Sequence, residues 1–182
     1  MRKLIVLLTL VCILLVLNFV IYKKEKHLLD GRSVFLELAP VDPRSLMQGD
    51  YMALRFDIAQ KIRASLPQKR ISSHTWRRDV VGNDGFVLVN IDAENVATFE
   101  ALYFNQILKK NQILLQYRIR GGKVKFASNA FFFQEGTAEV YEKAKYGEFK
   151  VNDEFELLLV NMYDEKLVKL HVSPKDNNKD VL

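Results

Sequence analysis

The stretch ILLQYRIRGGKVKFAS, Ile113 to Ser128, alternates apolar and polar residues on either side of a Gly-Gly pair. Successive side chains of an extended chain point to opposite faces, so Ile113, Leu115, Tyr117 and Ile119 share one face. Gly121 and Gly122 can take the two positive φ angles that a tight hairpin turn requires. The stretch therefore reads as an antiparallel hairpin with one apolar side.

The same period recurs on both sides of it. SVFLEL (33–38) sets Val34, Leu36 and Leu38 on one face, and YMALRF (51–56) sets Met52, Leu54 and Phe56 opposite Arg55. GFVLVNIDAENVATFEALY (85–103) predicts a second hairpin, turning at Asp92–Asn95. AFFFQ (130–134) predicts a buried strand. EFKV (148–151), EFELLLVNMY (154–163) and KLVKLHV (166–172) predict further strands, the last two joined at Asp164-Glu165. DIAQKIRASLP (57–67) predicts a short helix with Asp57 as cap, Ile58, Ile62 and Leu66 on one face, and Pro67 at its end. TAEVYEKAKYG (137–147) predicts a helix of two to three turns, capped by Thr137 and stopped by Gly147. The expected fold is mainly β with one or two short helices (α+β). Eight to ten strands joined by short turns should form an antiparallel sandwich or partly open barrel.

A different pattern precedes this domain. Leu4 to Tyr22 contains 19 residues without a charge, close to the ~20 a helix needs to cross a bilayer. A removable signal would have a shorter apolar region ending at small residues, whereas this run ends in FVIYKKEKH. Val11 before Cys12 argues against a lipoprotein cysteine. The predicted layout is a tail at 1–3, a transmembrane anchor at 4–22, a juxtamembrane segment at 23–32, a β-rich domain at 33–172 and a polar tail at 173–182. Lysines and arginines flank both ends of the run, so charge leaves the orientation open.

Charge also bears on partners. Residues 1–26 hold five Lys/Arg and one Glu of the chain's 27 and 22, so the remainder is nearly neutral despite the formal +5. The basic excess belongs to the membrane flanks, which argues against nucleic-acid binding. His27, His74 and His171 lack partners at ligand spacing, read as surface histidines, and give no metal site. No cofactor is expected. Trp76 reads as a partly buried loop anchor.

APVDPRSLMQGDYMALRF (39–56) is the densest candidate for chemistry. It is loosely similar to the region of signal peptidase I in which a serine precedes a proline, a Gly-Asp turn and a strand. Here Pro40 stands where the nucleophile would be, and Ser45 lies on the wrong side of Pro43. Asp42 with Asp50, or either with Glu135, could do acid–base work. The local alternative is that Asp42, before Pro43, and Asp50, after Gly49, accept backbone N–H bonds in turns.

GDYMALRF (49–56) also resembles the signature of the GDYXXLXY family, bacterial proteins with no established activity. Gly49, Asp50, Tyr51 and Leu54 match, and Phe56 replaces the final tyrosine. The likeness extends over about residues 33–170. It includes LAPVDPRSLMQGDY with Asp42, Pro43 and Arg44, and a segment from Leu115 to Val151 with Glu135 and Gly136. The resemblance implies a single-pass protein of the inner (cytoplasmic) membrane, its domain in the periplasm or outside the cytoplasm, beside a multi-spanning membrane protein. The functional expectation is a non-enzymatic accessory or binding subunit, with the bilayer contacted through residues 4–22. The alternative is a membrane-tethered hydrolase using the 42–51 loop and Glu135.

Overall fold

The structure, a computed structural model, describes residues 2–39, 47–48, 51–70, 78–80, 82–128 and 130–172. The chain opens with helix α1 (Arg2–Asp30), followed at once by strand β1 (Arg32–Glu37). Next come β2 (Met47–Gln48), β3 (Tyr51–Ala53), α2 (Asp57–Ser65), β4 (Gln68–Arg70) and β5 (Arg78–Val80). The rest comprises β6 (Gly85–Ile91), β7 (Ala97–Leu102), β8 (Gln112–Arg120), β9 (Lys123–Lys125), β10 (Ala130–Phe132), α3 (Ala138–Tyr141), β11 (Tyr146–Val151) and β12 (Leu157–Tyr163).

Every strand pairing within the sheets is antiparallel. The strand orders are β1-β11-β12, β10-β3-β2, β4-β5 and β7-β6-β8-β9. β1 and the two residues after it link the first, second and fourth of these into one curled surface. Phe35 bridges Val96 at the start of β7 in parallel, and the Phe35 N–H donates to Asn95 O at 2.9 Å. Beyond β1, Leu38 bridges Phe56, and the Ala39 N–H donates to Arg55 O at 2.7 Å. On the far side the Gln116 N–H of β8 donates to Phe155 O, in the β11–β12 turn, at 3.0 Å. The result is a half-barrel curled around a single apolar core.

The alternating faces fill that core as the period-two pattern requires. Val34, Leu36, Leu38, Met52, Leu54, Phe56, Leu115 and Phe149 are buried together. Phe56 is the hub, edge-on to Phe126 and Phe149 with ring centroids 5.9 and 5.4 Å away. α2 covers the core with Ile58 and Ile62. Gly121 and Gly122 have φ of 56° and 67°, and Asp92–Asn95 closes the β6–β7 hairpin with Asn95 at φ 64°.

Four local expectations are corrected. Residues 137–147 form one helical turn, α3, because Tyr146–Val151 is taken by β11 between β1 and β12. Gly147 is thus a strand residue rather than a helix stop, packed under Leu159 and Phe149. Thr137 makes no capping bond; its hydroxyl donates to Gln134 O at 2.6 Å. Phe56, not Asp57, occupies the cap position of α2, and the Asp57 carboxylate pairs instead with Lys61 one turn on, at 2.8 Å. β10 borders its sheet and leaves Phe132 73% exposed, so it is not a buried strand. Residues 166–172 form no full strand: Lys169 bridges Tyr163 and the Leu170 N–H donates to Met162 O at 2.9 Å, after a turn in which Asp164 Oδ1 accepts the Lys166 and Val168 N–H groups.

Candidate functional site

β3 begins at Tyr51, the one described residue of the Gly-Asp-Tyr stretch. Tyr51 pairs with Phe132 of β10, their rings tilted and 5.8 Å apart. Leu54 is buried one residue past the strand. From there the chain runs along a cleft of about 890 Å³ bounded by α2 and β9. Its floor is apolar: Leu54, Phe56, Ala59 and Val124. Its rim carries Arg55, Arg63, Lys123 and Lys125, and no carboxylate is among the described lining residues. An anion with an apolar portion meets complementary charge there.

The acidic counterpart lies on the other side of the fold. Glu148 sits on β11, on the face turned away from Phe149 and Val151, and is only 9% exposed. Three neutral groups donate to its carboxylate: the Ser33 hydroxyl at 3.1 Å, the Asn161 amide at 3.0 Å and the Tyr163 hydroxyl at 2.8 Å. Burial pushes the Glu148 carboxyl up. The bonds from Asn161, Tyr163 and Ser33, with the nearby charge of Lys150, outweigh burial and hold it below the ordinary carboxylate range. Tyr163 is driven the other way, to about 12, first by burial and then by its bond to Glu148. No buried side-chain polar atom among the described residues lacks a partner. The chemistry of this network is that of a clamp: an ionised carboxylate tying β1, β11 and β12 together.

The foot of α1 forms a third feature. His27 is 6% exposed, and its Nε2 lies 2.9 Å from Lys150 O. Lys23 reaches Glu154 in the β11–β12 turn at 3.2 Å. The expected surface histidine is therefore a docking residue, buried where the helix meets β11. A cleft of about 620 Å³ opens beside it, lined by Lys23, Lys26, His27, Ile113 and Phe155 among others.

Of the residues singled out in the sequence, Asp42, Pro43, Arg44, Gly49 and Asp50 lie outside the described residues, as do His74 and Trp76. Glu135 is exposed, and Gly136 turns the chain with φ 79° just beyond β10. The pairing of β10 with β3 thus sets Phe132, shortly before the Glu135-Gly136 turn, beside Tyr51. Sequence reasoning missed Glu148 and His27. A glutamate inside alternating EFKV and a histidine in a lysine-rich helix end carry no local sign of burial; only the pairing of β11 with β1 and β12 supplies it. Among the described residues no group of three or more His, Cys, Asp or Glu could hold a metal ion.

The family model described as GDYXXLXY protein matches residues 13–162. The chain belongs to the GDYXXLXY family. The match runs from residue 13, within α1, to residue 162, within β12, so it covers the second part of the helix and the half-barrel. No curated protein and no solved structure matches the chain. Of the family signature, Tyr51 pairs with Phe132, Leu54 lies in the floor of the basic cleft, and Phe56, in place of the final tyrosine, is the core hub, where a hydroxyl would need a buried partner.

Proposed function

We propose that this GDYXXLXY-family chain is a single-pass membrane-anchored, non-enzymatic binding subunit, with its domain outside the cytoplasm and a multi-spanning membrane protein as its partner. The observation that carries this reading is the dual character of α1. Its first part, long and apolar enough to cross a membrane, exposes Leu4 to Tyr22 on all sides. Its last turns are part of the folded domain through His27 and Lys23. Twenty-nine residues of helix extend about 43 Å at 1.5 Å per residue, enough for a bilayer core with turns to spare. A helix fused to the half-barrel in this way holds the domain at the bilayer, within reach of neighbouring membrane proteins. The basic cleft beside β3 supplies a binding surface for an acidic segment of such a partner.

A photo-crosslinking residue at Arg55, in the full chain in native membranes, tests the reading. The expected result is one dominant adduct with an integral membrane protein, weakened by the charge reversals Lys123→Glu and Lys125→Glu. Adducts only with soluble proteins, or an adduct indifferent to both reversals, would sink it. An export-dependent reporter fused after Leu182 should be active; activity of a cytoplasm-dependent reporter instead would reverse the orientation.

A further inference from the structure

The connection from β7 to β8, residues 103–111, presents apolar side chains to solvent. Phe104 is 77%, Ile107 95% and Leu108 37% exposed. Beyond α1, five large hydrophobic residues are exposed among the described residues, the others being Phe132 and Val168, and three of the five stand on this one connection. Lys109 and Lys110 follow directly, and the segment YFNQILKKN contains no carboxylate. Apolar side chains beside lysines, without acids, are the composition of a segment that sits at a lipid interface.

The exposure is built in. β7 and β8 both run antiparallel to β6, so they run parallel to each other, and the connection must return along the length of β6. It is clamped at both ends. The Tyr103 N–H donates to Phe86 O at 3.0 Å, and the Gln106 amide donates to Leu102 O at 3.1 Å. Lys109 and the buried Gln112 exchange bonds, and the Ile91 N–H donates to Asn111 O at 2.9 Å.

Its place in the fold says what covers it. Ile113, two residues past the connection, lines the cleft at the foot of α1 with Lys23, Lys26 and His27. Ile107 is six residues from Ile113, at most about 20 Å of extended chain. Ile107 is thus tethered within that reach of the cleft where the apolar helix docks, on a connection that runs back toward it.

We propose that residues 103–111 are a second membrane contact: Phe104, Ile107 and Leu108 enter the interfacial zone of the adjacent leaflet, and Lys109 and Lys110 engage anionic headgroups. The inference rests on α1 being the membrane anchor. Two contacts fix the tilt of the domain on the bilayer, where one helix would leave it free to swing.

The test uses the full chain in vesicles of phosphatidylcholine alone and with about a third phosphatidylglycerol, the natural cysteine removed by Cys12→Ser. An environment-sensitive fluorophore is placed by Ile107→Cys, and in a second sample by Glu165→Cys, in the turn after β12 at the end remote from the β11–β12 turn. The expected result is a several-fold emission rise and quenching by shallow spin-labelled lipid at position 107 in the anionic vesicles, with position 165 remaining in water. Lys109→Glu with Lys110→Glu should reduce the quenching at least twofold. A position-107 label that stays in water while flotation shows the chain held in the vesicles overturns the proposal. Equal quenching in both lipid compositions overturns the preference for anionic headgroups. Shielding seen only in native membranes assigns the patch to a protein and overturns the lipid contact. Loss of the chain from the vesicles altogether is the separate failure of the anchor reading.

Discussion

Glu148 accepts hydrogen bonds from Ser33, Asn161 and Tyr163 at a position only 9% exposed, so its charge and its burial depend on each other. Glu148→Gln keeps the shape and removes the charge, leaving an amide N–H₂ facing groups that donate. The expected cost is about 2 kcal/mol, with the melting temperature of the full chain in detergent falling by several degrees. The pH dependence has a definite sign. The folded pKa lies below the ordinary 4.5, so the stabilisation is complete above that value and is lost as pH falls through the folded pKa. Thermal melts from pH 7 to pH 3 should show a shallower acid decline for Glu148→Gln than for the natural chain; identical declines would mean the network does not carry the acid sensitivity. At the alkaline end, Tyr163 holds its proton to about 12 against an ordinary 10, so it lowers stability as pH climbs through that window. Tyr163→Phe should flatten the decline there.

At the element scale, the β8–β9 hairpin shows how far alternation carries. Ile113 to Arg120 needed no tertiary information, because the faces and the Gly-Gly turn are both local properties. The structure adds a pin: Asp84, before β6, accepts from Arg120 Nη1 and Nη2 at 2.8 and 2.9 Å and from the Ile119 N–H at 2.8 Å. Gly121→Ala meets no atom within 4 Å, so its effect isolates the backbone strain of φ 56° and should be about 1 kcal/mol. Equilibrium denaturation measures it; a change near zero would show that the turn tolerates a Cβ. Residues 137–147 failed the same local reading. TAEVYEKAK has helical composition, yet Lys145 already bonds across to Tyr163 O and Leu38, and pairing with two strands outweighs the propensity of a short helix. The basic cleft was likewise invisible in sequence, since Arg55, Arg63 and Lys123 meet only when α2 packs on the half-barrel.

For the whole molecule, α1 has two parts: an exposed stretch, Leu4–Tyr22, long and apolar enough to cross a membrane, and a foot docked into the domain. If Leu4–Tyr22 were a removable signal, processing near residues 23–30 would cut through the turns that dock by His27 and Lys23. The fold is therefore coupled to retention of the helix. Intact mass of protein extracted from membranes should include residues 1–22, and a chain beginning between 23 and 30 would contradict the coupling. The coupling also has a measurable strength. His27→Ala removes a buried hydrogen-bonding ring from the foot while leaving the apolar span untouched. Its cost, about 1–2 kcal/mol, falls on the local equilibrium between docked and undocked foot. At 1.4 kcal/mol per factor of ten, trypsin cleavage after Lys24 and Lys26 in detergent should speed up roughly tenfold, the undocked state being the one a protease can grip. The same variant should keep its membrane association, because the exposed residues Leu4–Tyr22 do not use the foot to enter lipid. Unchanged cleavage rates would separate helix from domain and return α1 to the status of a plain tether.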